Sequence, residues 1–320
     1  MLFIHPPSSP FEPPSLLFRL TSSPIKFLVQ CLYHLILFFR GSAIKLPDQS
    51  SRIRLVCISD THSKKTLIPD GDVLIHAGDL ANEGTAAEIQ EQIDWIASLP
   101  HQHKIVIAGN HDGFLDPRSR HDSDSKKSLD FKGLHYLQHS GITLTFPRAA
   151  RRQLSFYGAP HIPACGGDDF AFQYPREQDA WSGTIPQSTD VLVTHTPPRH
   201  HLDLPHGMGC EFLLKELWHV KPKLHVFGHV HCGYGRENLF WDEGQKAYER
   251  VCSRKHAGLF RDCLDLPAWF DCVKVIWYGI SGFLWSQIWG GLNAGTLAVN
   301  ASLTVGSTGK LGNPPQIIDL

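Results

Sequence analysis

Five short segments of this 320-residue chain carry aspartate, asparagine and histidine side chains that can bind metal ions. Each segment directly follows a short apolar run, which is typical of a buried β-strand that has just ended. The segments are Asp60-Thr61-His62, Gly78-Asp79, Gly109-Asn110-His111-Asp112, Thr194-His195 and Gly228-His229-Val230-His231. Ligands gather beyond the carboxyl ends of the strands in open α/β sheets. These side chains are therefore predicted to meet at one point.

The five segments offer carboxylate, amide and imidazole ligands, and none of them offers a thiolate at a motif position. This mixed oxygen and nitrogen set suits Mn, Fe or Zn better than calcium or a structural zinc. Two cations about 3.5–4 Å apart need one bridging carboxylate and further protein ligands on each side. Asp79 stands alone after its glycine and is the predicted bridge. The sequence thus predicts a site for two divalent or mixed-valence metal ions.

The spacing within the segments suggests how the side chains reach that site. Asp60 and His62 are two residues apart, so an extended backbone would place them on the same side. His229 and His231 have the same spacing and carry the same expectation. The backbone is expected to turn sharply beside the metals at three glycines, Gly78, Gly109 and Gly228.

The segments between these motifs favour an α/β protein. Thr85-Ala86-Ala87-Glu88 has the form of a capping box and precedes isoleucines at helical spacing, and Pro100 cannot continue that helix. A second helix is predicted over Phe212–Trp218. Further strands are predicted over residues 154–158, 296–300 and 316–319.

The order of the motifs, D-x-H, GD, GNHD, H and GHxH, resembles the calcineurin-like metallophosphoesterase superfamily. Ser59–Ser63, Thr194–Pro198, His231–Gly235 and the tail from Asn300 to Leu320 look more closely like the metallophosphoesterase-domain-containing subfamily. Some members of that subfamily are similar to cyclic-nucleotide phosphodiesterases. The resemblance covers residues 52–235 and 293–320. It implies a four-layer α/β/β/α sandwich with the metals at the edge where the strands end.

The resemblance also implies a role for each motif residue. The implied ligands of the first metal are Asp60, His62 and His231, those of the second are Asn110, His195 and His229, and Asp79 bridges the two. His111 would be no ligand but a general acid, or a group that stabilises charge on a phosphoryl oxygen, with Asp112 orienting its ring. A metal-bridging hydroxide would attack the phosphorus in line.

The implied activity is a metal-dependent phosphoesterase that hydrolyses a small phosphodiester or phosphomonoester, with cyclic nucleotides as one candidate. A protein Ser/Thr phosphatase ranks lower, because the long additional helices and loops of those enzymes are not evident in the sequence. A non-catalytic scaffold on a phosphoesterase fold is a third interpretation. Seven intact ligand positions weigh against it.

Composition limits the classes of partner. The formal net charge of −1 argues against binding of a nucleic-acid polymer, because such proteins carry strongly basic surfaces. The eight cysteines are scattered without a C-x-x-C pair, which favours a reducing compartment and predicts a cytoplasmic protein.

Two regions lie outside the family pattern. The predicted domain, residues 51–320, is interrupted by an insert at residues 236–292, and residues 1–50 form an N-terminal extension. Within the extension, the Pro- and Ser-rich residues 1–24 are predicted to be disordered. The apolar segment 25–39 is short for a membrane-spanning helix and fits a signal peptide poorly.

The insert begins with a charged, helix-like part and ends in the apolar, Trp-rich residues 268–290. It is predicted either to pack on the domain as a helical hairpin or to form, together with residues 25–39, a peripheral membrane contact. One contact would be a helical face consisting of Phe27, Leu28, Leu32, Leu35 and Phe39. A second contact would be supplied by Trp277, Trp285 and Trp289.

Three further histidines, His161, His200 and His201, lie in loops near the predicted rim of the site. A solvated loop is the default expectation for them, and a substrate contact is the alternative.

Overall fold

The computed structural model describes residues 13–167, 169–205, 207–255, 258–291 and 293–320. The α-helices of these residues are α1 (Leu16–Ser22), α2 (Pro24–Arg40), α3 (Ala86–Ser98), α4 (Glu211–Val220), α5 (Glu243–Ser253), α6 (Leu259–Cys263) and α7 (Leu266–Phe283). The strands are β1 (Arg54–Ile58), β2 (Val73–Ala77), β3 (His103–Ile107), β4 (His135–Tyr136), β5 (Ser140–Phe146), β6 (Arg152–Ala159), β7 (Ile162–Pro163), β8 (Gln173–Tyr174), β9 (Val191–Thr194), β10 (Leu224–Phe227), β11 (Gly235–Leu239), β12 (Thr296–Asn300) and β13 (Gln316–Asp319).

The strands form two large sheets and the short pair β7-β8. One sheet has the order β13-β1-β2-β3-β4, and the other has the order β11-β12-β10-β9-β6-β5. Strands β1 to β4 are parallel in the first sheet, as are β6, β9, β10 and β12 in the second. The five apolar runs that precede the motifs are β1, β2, β3, β9 and β10, so this prediction is confirmed.

The packing produces four layers. Apolar side chains from both sheets, among them Leu55, Ile105 and Val226, fill the space between the sheets. Helix α3 covers the outer face of the first sheet with its isoleucines, including Ile93. Helix α4 covers the outer face of the second sheet with Leu213 and its neighbours. The predicted α/β/β/α sandwich is confirmed.

Local signals placed several elements correctly. At the start of α3, the Thr85 hydroxyl accepts a hydrogen bond from the Glu88 backbone N–H while the Glu88 carboxylate accepts one from the Thr85 N–H, as a capping box requires. The helix ends at Ser98, just before Pro100. The helix predicted at 212–218 lies within α4, and the three further predicted strands lie in β6, β12 and β13.

The N-terminal extension and the insert pack together as a three-helix unit that consists of α2, α5 and α7. Its buried cluster includes Ile25 and Tyr33 from α2, Tyr248 from α5, and Val275 from α7. The rings of Tyr33 and Tyr248 stack with their centroids 3.8 Å apart. In the described part of the chain, no helix has both the length and the apolar character that a membrane crossing requires.

Two predictions of local structure were wrong. Residues 237–239 begin the part of the insert that was predicted to be helix-like, but they belong to β11 and pair antiparallel with β12. The charged sequence concealed this strand because Glu237 is buried in an ion pair instead of facing solvent. Residues 16–22 form α1, although disorder was predicted over 1–24; the Ser15 hydroxyl caps this helix by accepting from the Phe18 N–H. Residues 1–12 of that prediction lie outside the described residues.

Candidate metal centre

The predicted site residues lie in loops that directly follow parallel strands. They are Asp60 and His62 after β1, Asp79 after β2, Asn110, His111 and Asp112 after β3, His195 after β9, and His229 and His231 after β10. Most of these side chains are buried, whereas those of His111, His229 and His231 are partly exposed. The carboxyl ends of both sheets therefore contribute donors to one edge of the sandwich.

A first group of donors comes from both sheets. Asp60, His62, Asp79 and His231 each offer one ligand atom, and these atoms all lie within 4.8 Å of one another. The Nε2 atoms of His62 and His231 are 3.4 Å apart, and Nε2 of His231 is 3.3 Å from Oδ1 of Asp60. Two carboxylates and two imidazoles around one point form a suitable donor set for a borderline divalent cation.

A second group of donors lies next to the first. Nε2 of His195 is 3.0 Å from Oδ1 of Asn110, and the rings of His195 and His229 are 5.1 Å apart between centroids. Oδ2 of Asp79 lies 3.4 Å from Nε2 of His195 and 3.9 Å from Nε2 of His62. The Asp79 carboxylate thus lies between the two groups, where a bridging ligand would have to be.

Backbone carbonyls orient two of the imidazole rings. Nδ1 of His195 is 2.9 Å from the Ala77 carbonyl oxygen, and Nδ1 of His231 is 3.0 Å from that of Gly306. Because a carbonyl can only accept, Nδ1 carries the proton in both rings and Nε2 is directed into the site. Metal-binding histidines commonly donate their other N–H to a carbonyl in this way. The residues present therefore fit a metal ion.

The aspartates and histidines of the site stabilise one another's charged forms. Burial by itself would raise the pKa of Asp79, but His195 holds it well below its ordinary value. His231 likewise outweighs the effect of burial on Asp60 and lowers its pKa. Burial would lower the pKa of His195, yet Asp79 raises it to about 9. A proton and a metal ion compete for the same Nε2 lone pair of His195, because histidine binds metals in its neutral form.

The backbone conformation of the ligand loops differs from the prediction. Asp60 and His62 have φ values of 55° and 45°, in the left-handed region that residues other than glycine rarely adopt. Asp79 and His229 have φ values of 56° and 65°. The extended segment expected for Asp60 and His62 was therefore wrong, as was the one expected for His229 and His231. The chain turns just after β1, β2 and β10 and so directs these donors into the site.

The three glycines serve two different purposes. Gly78 has a φ of 97° and makes the predicted sharp turn. At Gly109, a Cβ atom would overlap the carboxylate of Asp79, and at Gly228 it would overlap that of Asp60. These two glycines have no positive φ, so they provide space for the ligand carboxylates instead of the predicted turn.

His111 lies beside the first group of donors without belonging to it. Its ring is 4.8 Å from the His62 ring between centroids, and its Nδ1 is 2.9 Å from the Asn82 carbonyl oxygen. Its backbone N–H donates to Oδ1 of Asp79 at 2.8 Å. The carbonyl fixes the proton on Nδ1, so Nε2 is the nitrogen that remains for chemistry.

Asp112 does not orient the His111 ring, so that expectation was wrong. Its buried carboxylate accepts from the backbone N–H groups of Gly109 at 2.7 Å, Ala81 at 2.9 Å and Leu80 at 3.2 Å. Burial and the nearby charge of Asp79 raise the pKa of Asp112 to about 7. The Asp112 carboxylate connects the loop after β2 to the loop after β3. The group that orients the His111 ring is the Asn82 carbonyl.

Sequence reasoning missed several residues that support the site. The Phe170 ring lies 5.0 Å from the His111 ring between centroids. The Thr304 hydroxyl donates to the Asp60 carbonyl at 2.7 Å, which attaches the C-terminal segment to the first ligand loop. The only sequence feature that pointed to this contact was the tail from Asn300 to Leu320, which resembles the subfamily. Nothing in the sequence around Phe170 marks it.

The three additional histidines contact other partners. His200 and His201 are buried, so the expected solvated loop was wrong for both. Nδ1 of His201 is 2.8 Å from Oε1 of Glu237, and its Nε2 is 3.2 Å from Oε1 of Glu249. Nδ1 of His161 lies 2.6 Å from Nε2 of His139.

Comparison with known proteins identifies the family to which this architecture belongs. The family model described as "Calcineurin-like phosphoesterase" matches residues 53–233, which is more than half of the chain and includes every predicted ligand. The chain belongs to the calcineurin-like phosphoesterase family. This result agrees with the resemblance inferred from the motifs.

Several named proteins are similar to this family member. "Probable rhamnogalacturonate lyase C" of Emericella nidulans is 45% identical over 237 residues, covering 73% of this chain and 22% of that protein. "Metallophosphoesterase domain-containing protein 1" of Homo sapiens is 39% identical over 210 residues, covering 59% and 64%. "UPF0046 protein K07C11.7" of Caenorhabditis elegans is 35% identical over 201 residues, covering 59% and 67%. The chain therefore spans less than two thirds of the length of the first two relatives.

Proposed function

We propose that this phosphoesterase-family member is an active, metal-dependent hydrolase of small phosphodiesters or phosphomonoesters. The observation that carries the proposal is the meeting of Asp60, His62, Asp79 and His231 within 4.8 Å, because an eroded family member would not preserve such a donor set. His195 and Asn110 stand directly beside this group.

The residues divide into two ligand sets around a shared carboxylate. Asp60, His62 and His231 would hold one cation, Asn110, His195 and His229 would hold the other, and Asp79 would contact both. Two bound cations, such as Mn, Fe or Zn, would lower the pKa of a water molecule and neutralise the charge of the phosphate. Four of these residues, Asp60, His62, Asp79 and His229, have a left-handed backbone, which the surrounding structure must hold in place.

We assign proton transfer to the leaving group to His111. Its Nδ1–H donates to the Asn82 carbonyl, so the protonated ring presents an Nε2–H to the site. An imidazole suits this task because it is a common general acid in enzymes. The Phe170 ring packs beside it, 5.0 Å away between centroids. Cyclic nucleotides are candidate substrates on the strength of the family resemblance.

The test is metal analysis of the purified protein followed by a substrate screen. The screen uses bis-p-nitrophenyl phosphate, p-nitrophenyl phosphate and 3′,5′-cyclic nucleotides. We expect bound Mn, Fe or Zn and metal-dependent hydrolysis of at least one substrate, which also separates diesterase from monoesterase activity. A protein that holds both metals and hydrolyses none of them would instead favour the scaffold interpretation.

A further inference from the structure

Helix α7 is apolar on two opposite faces. One face, which includes Ala268, Cys272 and Val275, packs into the three-helix unit. The opposite face is exposed to solvent, and its apolar residues follow one another at steps of four and three: Leu266, Phe270, Val273, Trp277 and Ile280. A helix that is apolar all round is normally surrounded by protein or lipid. The exposed stripe therefore requires an explanation.

The stripe continues onto helix α2. Ile36 packs where α2 crosses α7 at Gly279, and a Cβ atom at Gly279 would collide with it. A groove at this crossing is lined by apolar residues of both helices, including Leu35, Phe39 and Ile280. Phe38, on the same side of α2 as Leu35, is 80% exposed. The two helices thus share one exposed apolar surface.

The residues after α7 extend this surface. Leu284–Ile288 form a π-helical turn, and the Gln287 side-chain amide donates to the Arg40 carbonyl at the end of α2 at 3.0 Å. Trp285, Ile288 and Trp289 project from this segment and are exposed. We call the exposed residues of α2, α7 and this turn the apolar face: Leu35, Phe38, Phe39, Leu266, Phe270, Val273, Trp277, Ile280, Trp285, Ile288 and Trp289.

The charges around the apolar face are asymmetric. Helix α2 contains no acidic residue, and the three carboxylates of residues 258–291 are all engaged with neighbouring groups. Asp262 accepts from the Ile25 N–H at 2.7 Å, Asp271 pairs with Arg250 at 2.7 Å, and Asp265 pairs with Arg254. By contrast, the Arg261 and Lys274 side chains are exposed. An apolar face whose helices carry exposed cations is complementary to an anionic lipid surface.

The residue types favour lipid over a protein partner. Trp277 is 70% exposed, and Trp285 and Trp289 are also well exposed. Indole rings prefer the boundary between hydrocarbon and water, where the apolar body and the N–H group are both accommodated. On α2, the exposed rings of Phe38 and Phe39 pack edge to face, 5.3 Å apart between centroids, and together form an apolar projection that can insert between lipid chains.

We propose that the apolar face binds the surface of an anionic lipid bilayer. The opposite faces of α2 and α7 remain packed against α5, so both helices lie along the surface with only their outer sides in lipid. This inference goes beyond phosphoester hydrolysis and does not depend on it.

The experiment is flotation of the full chain with lipid vesicles. One set contains phosphatidylcholine alone, and the other contains phosphatidylcholine with phosphatidylserine. We expect wild-type protein to float with the anionic vesicles and more weakly with the neutral ones. Trp277→Glu and Phe38→Glu should each weaken partitioning about tenfold or more, because one inserted aromatic ring contributes at least that factor.

Leu67→Glu is the matched control. Leu67 is 93% exposed and lies outside the apolar face, so the same added charge should leave flotation unchanged. Unfolding midpoints close to wild type would show that the glutamate variants are folded, as expected for exposed positions. Wild-type protein that floats with neither vesicle overturns the proposal. So does a wild-type dimer without lipid binding that Trp277→Glu converts to a monomer, because the face would then bind a second copy.

Discussion

The two oxygens of Asp79 have different partners. Oδ1 accepts from the His111 N–H and so holds the loop after β3, while Oδ2 faces Nε2 of His195 and of His62. One carboxylate therefore positions the proposed acid and lies between both ligand groups. Its negative charge is kept by His195, which holds the pKa of Asp79 well below the ordinary range despite burial.

Asp79→Asn should retain the fold but reduce hydrolysis to background. The amide preserves the size of the side chain and an oxygen that can accept from the His111 N–H. It carries no charge with which to bridge two cations. The measurement is turnover together with metal content per chain. Near-normal turnover with two metals bound would refute the assignment of Asp79 as a bridge.

His111→Ala should keep the metals and lose about 10²–10⁴-fold in rate on esters with poor leaving groups, as expected for the loss of a general acid. The loss should be smaller for p-nitrophenyl esters, because p-nitrophenolate leaves without a proton. His161→Ala removes an imidazole that contacts His139, and it serves as the control with little effect. Metal loss from the His111 variant would show that His111 is a ligand.

At the residue scale, the sequence identified the donors but not how the backbone presents them. Residue types and strand ends were sufficient to bring Asp60, Asp79 and His195 to one point. The left-handed φ of Asp60 and Asp79 has no marker in the sequence, because such conformations are imposed by the surrounding structure on residues that disfavour them. The role of Asp112 likewise depends on which backbone N–H groups the two loops bring near it.

At the scale of elements, His201 connects three parts of the chain. It lies in the loop after β9 and is hydrogen-bonded to Glu237 on β11 and Glu249 on α5. The Trp218 indole N–H of α4 also donates to Glu249, at 2.9 Å. Burial would lower the pKa of His201, but Glu237 and Glu249 raise it to about 10. The imidazolium therefore compensates two buried carboxylates at the junction of sheet and insert.

His201→Gln should destabilise the protein by about 3–5 kcal/mol near neutral pH, because it removes the cation between two buried carboxylates. The stabilisation comes from the raised pKa of His201 in the folded state. It is complete below the ordinary histidine pKa of about 6.5 and is lost as pH rises through about 10. The difference in unfolding free energy between wild type and variant should shrink over this window. Denaturant titrations across it provide the measurement.

The control for this experiment is His219→Gln, because His219 is exposed on α4 and its replacement should change the unfolding free energy by less than about 0.5 kcal/mol. A constant difference between wild type and His201→Gln across the window would indicate that His201 contributes only packing.

The elements themselves were largely predictable where a local signal existed. The capping box at Thr85 placed α3, and the apolar runs placed β1 and β2, because these signals act within a few residues. Strand β11 was missed because Glu237 resembles a surface residue until His201, distant in the chain, neutralises it. Charged residues usually lie at the surface, but those of a buried ion pair lie inside, so the usual pattern does not reveal such a strand.

At the scale of the whole molecule, the N-terminal extension and the insert bury each other's apolar surfaces. Each has an apolar face that it could not bury alone, and the stacking of Tyr33 on Tyr248 joins them. The Tyr248 hydroxyl donates to the His200 carbonyl at 3.1 Å, which connects this cluster to the loop after β9. The sequence could not pair the two regions, because the family pattern covers neither and their contacts lie far apart in the chain.

Tyr33→Ala should cost about 3–5 kcal/mol of unfolding free energy, because it opens a cavity beside Tyr248 in the three-helix unit. Leu35→Ala, on the exposed side of the same helix, should change stability by less than about 0.5 kcal/mol.

If the three-helix unit and the sandwich fold as one cooperative unit, tryptophan fluorescence and far-ultraviolet circular dichroism will report a single shifted transition for the Tyr33 variant. An early fluorescence transition that leaves circular dichroism and metal content at wild-type levels would show instead that the three-helix unit unfolds separately. The contact between Tyr248 and the His200 carbonyl argues for the single transition, since it ties this unit to the loop that carries His195.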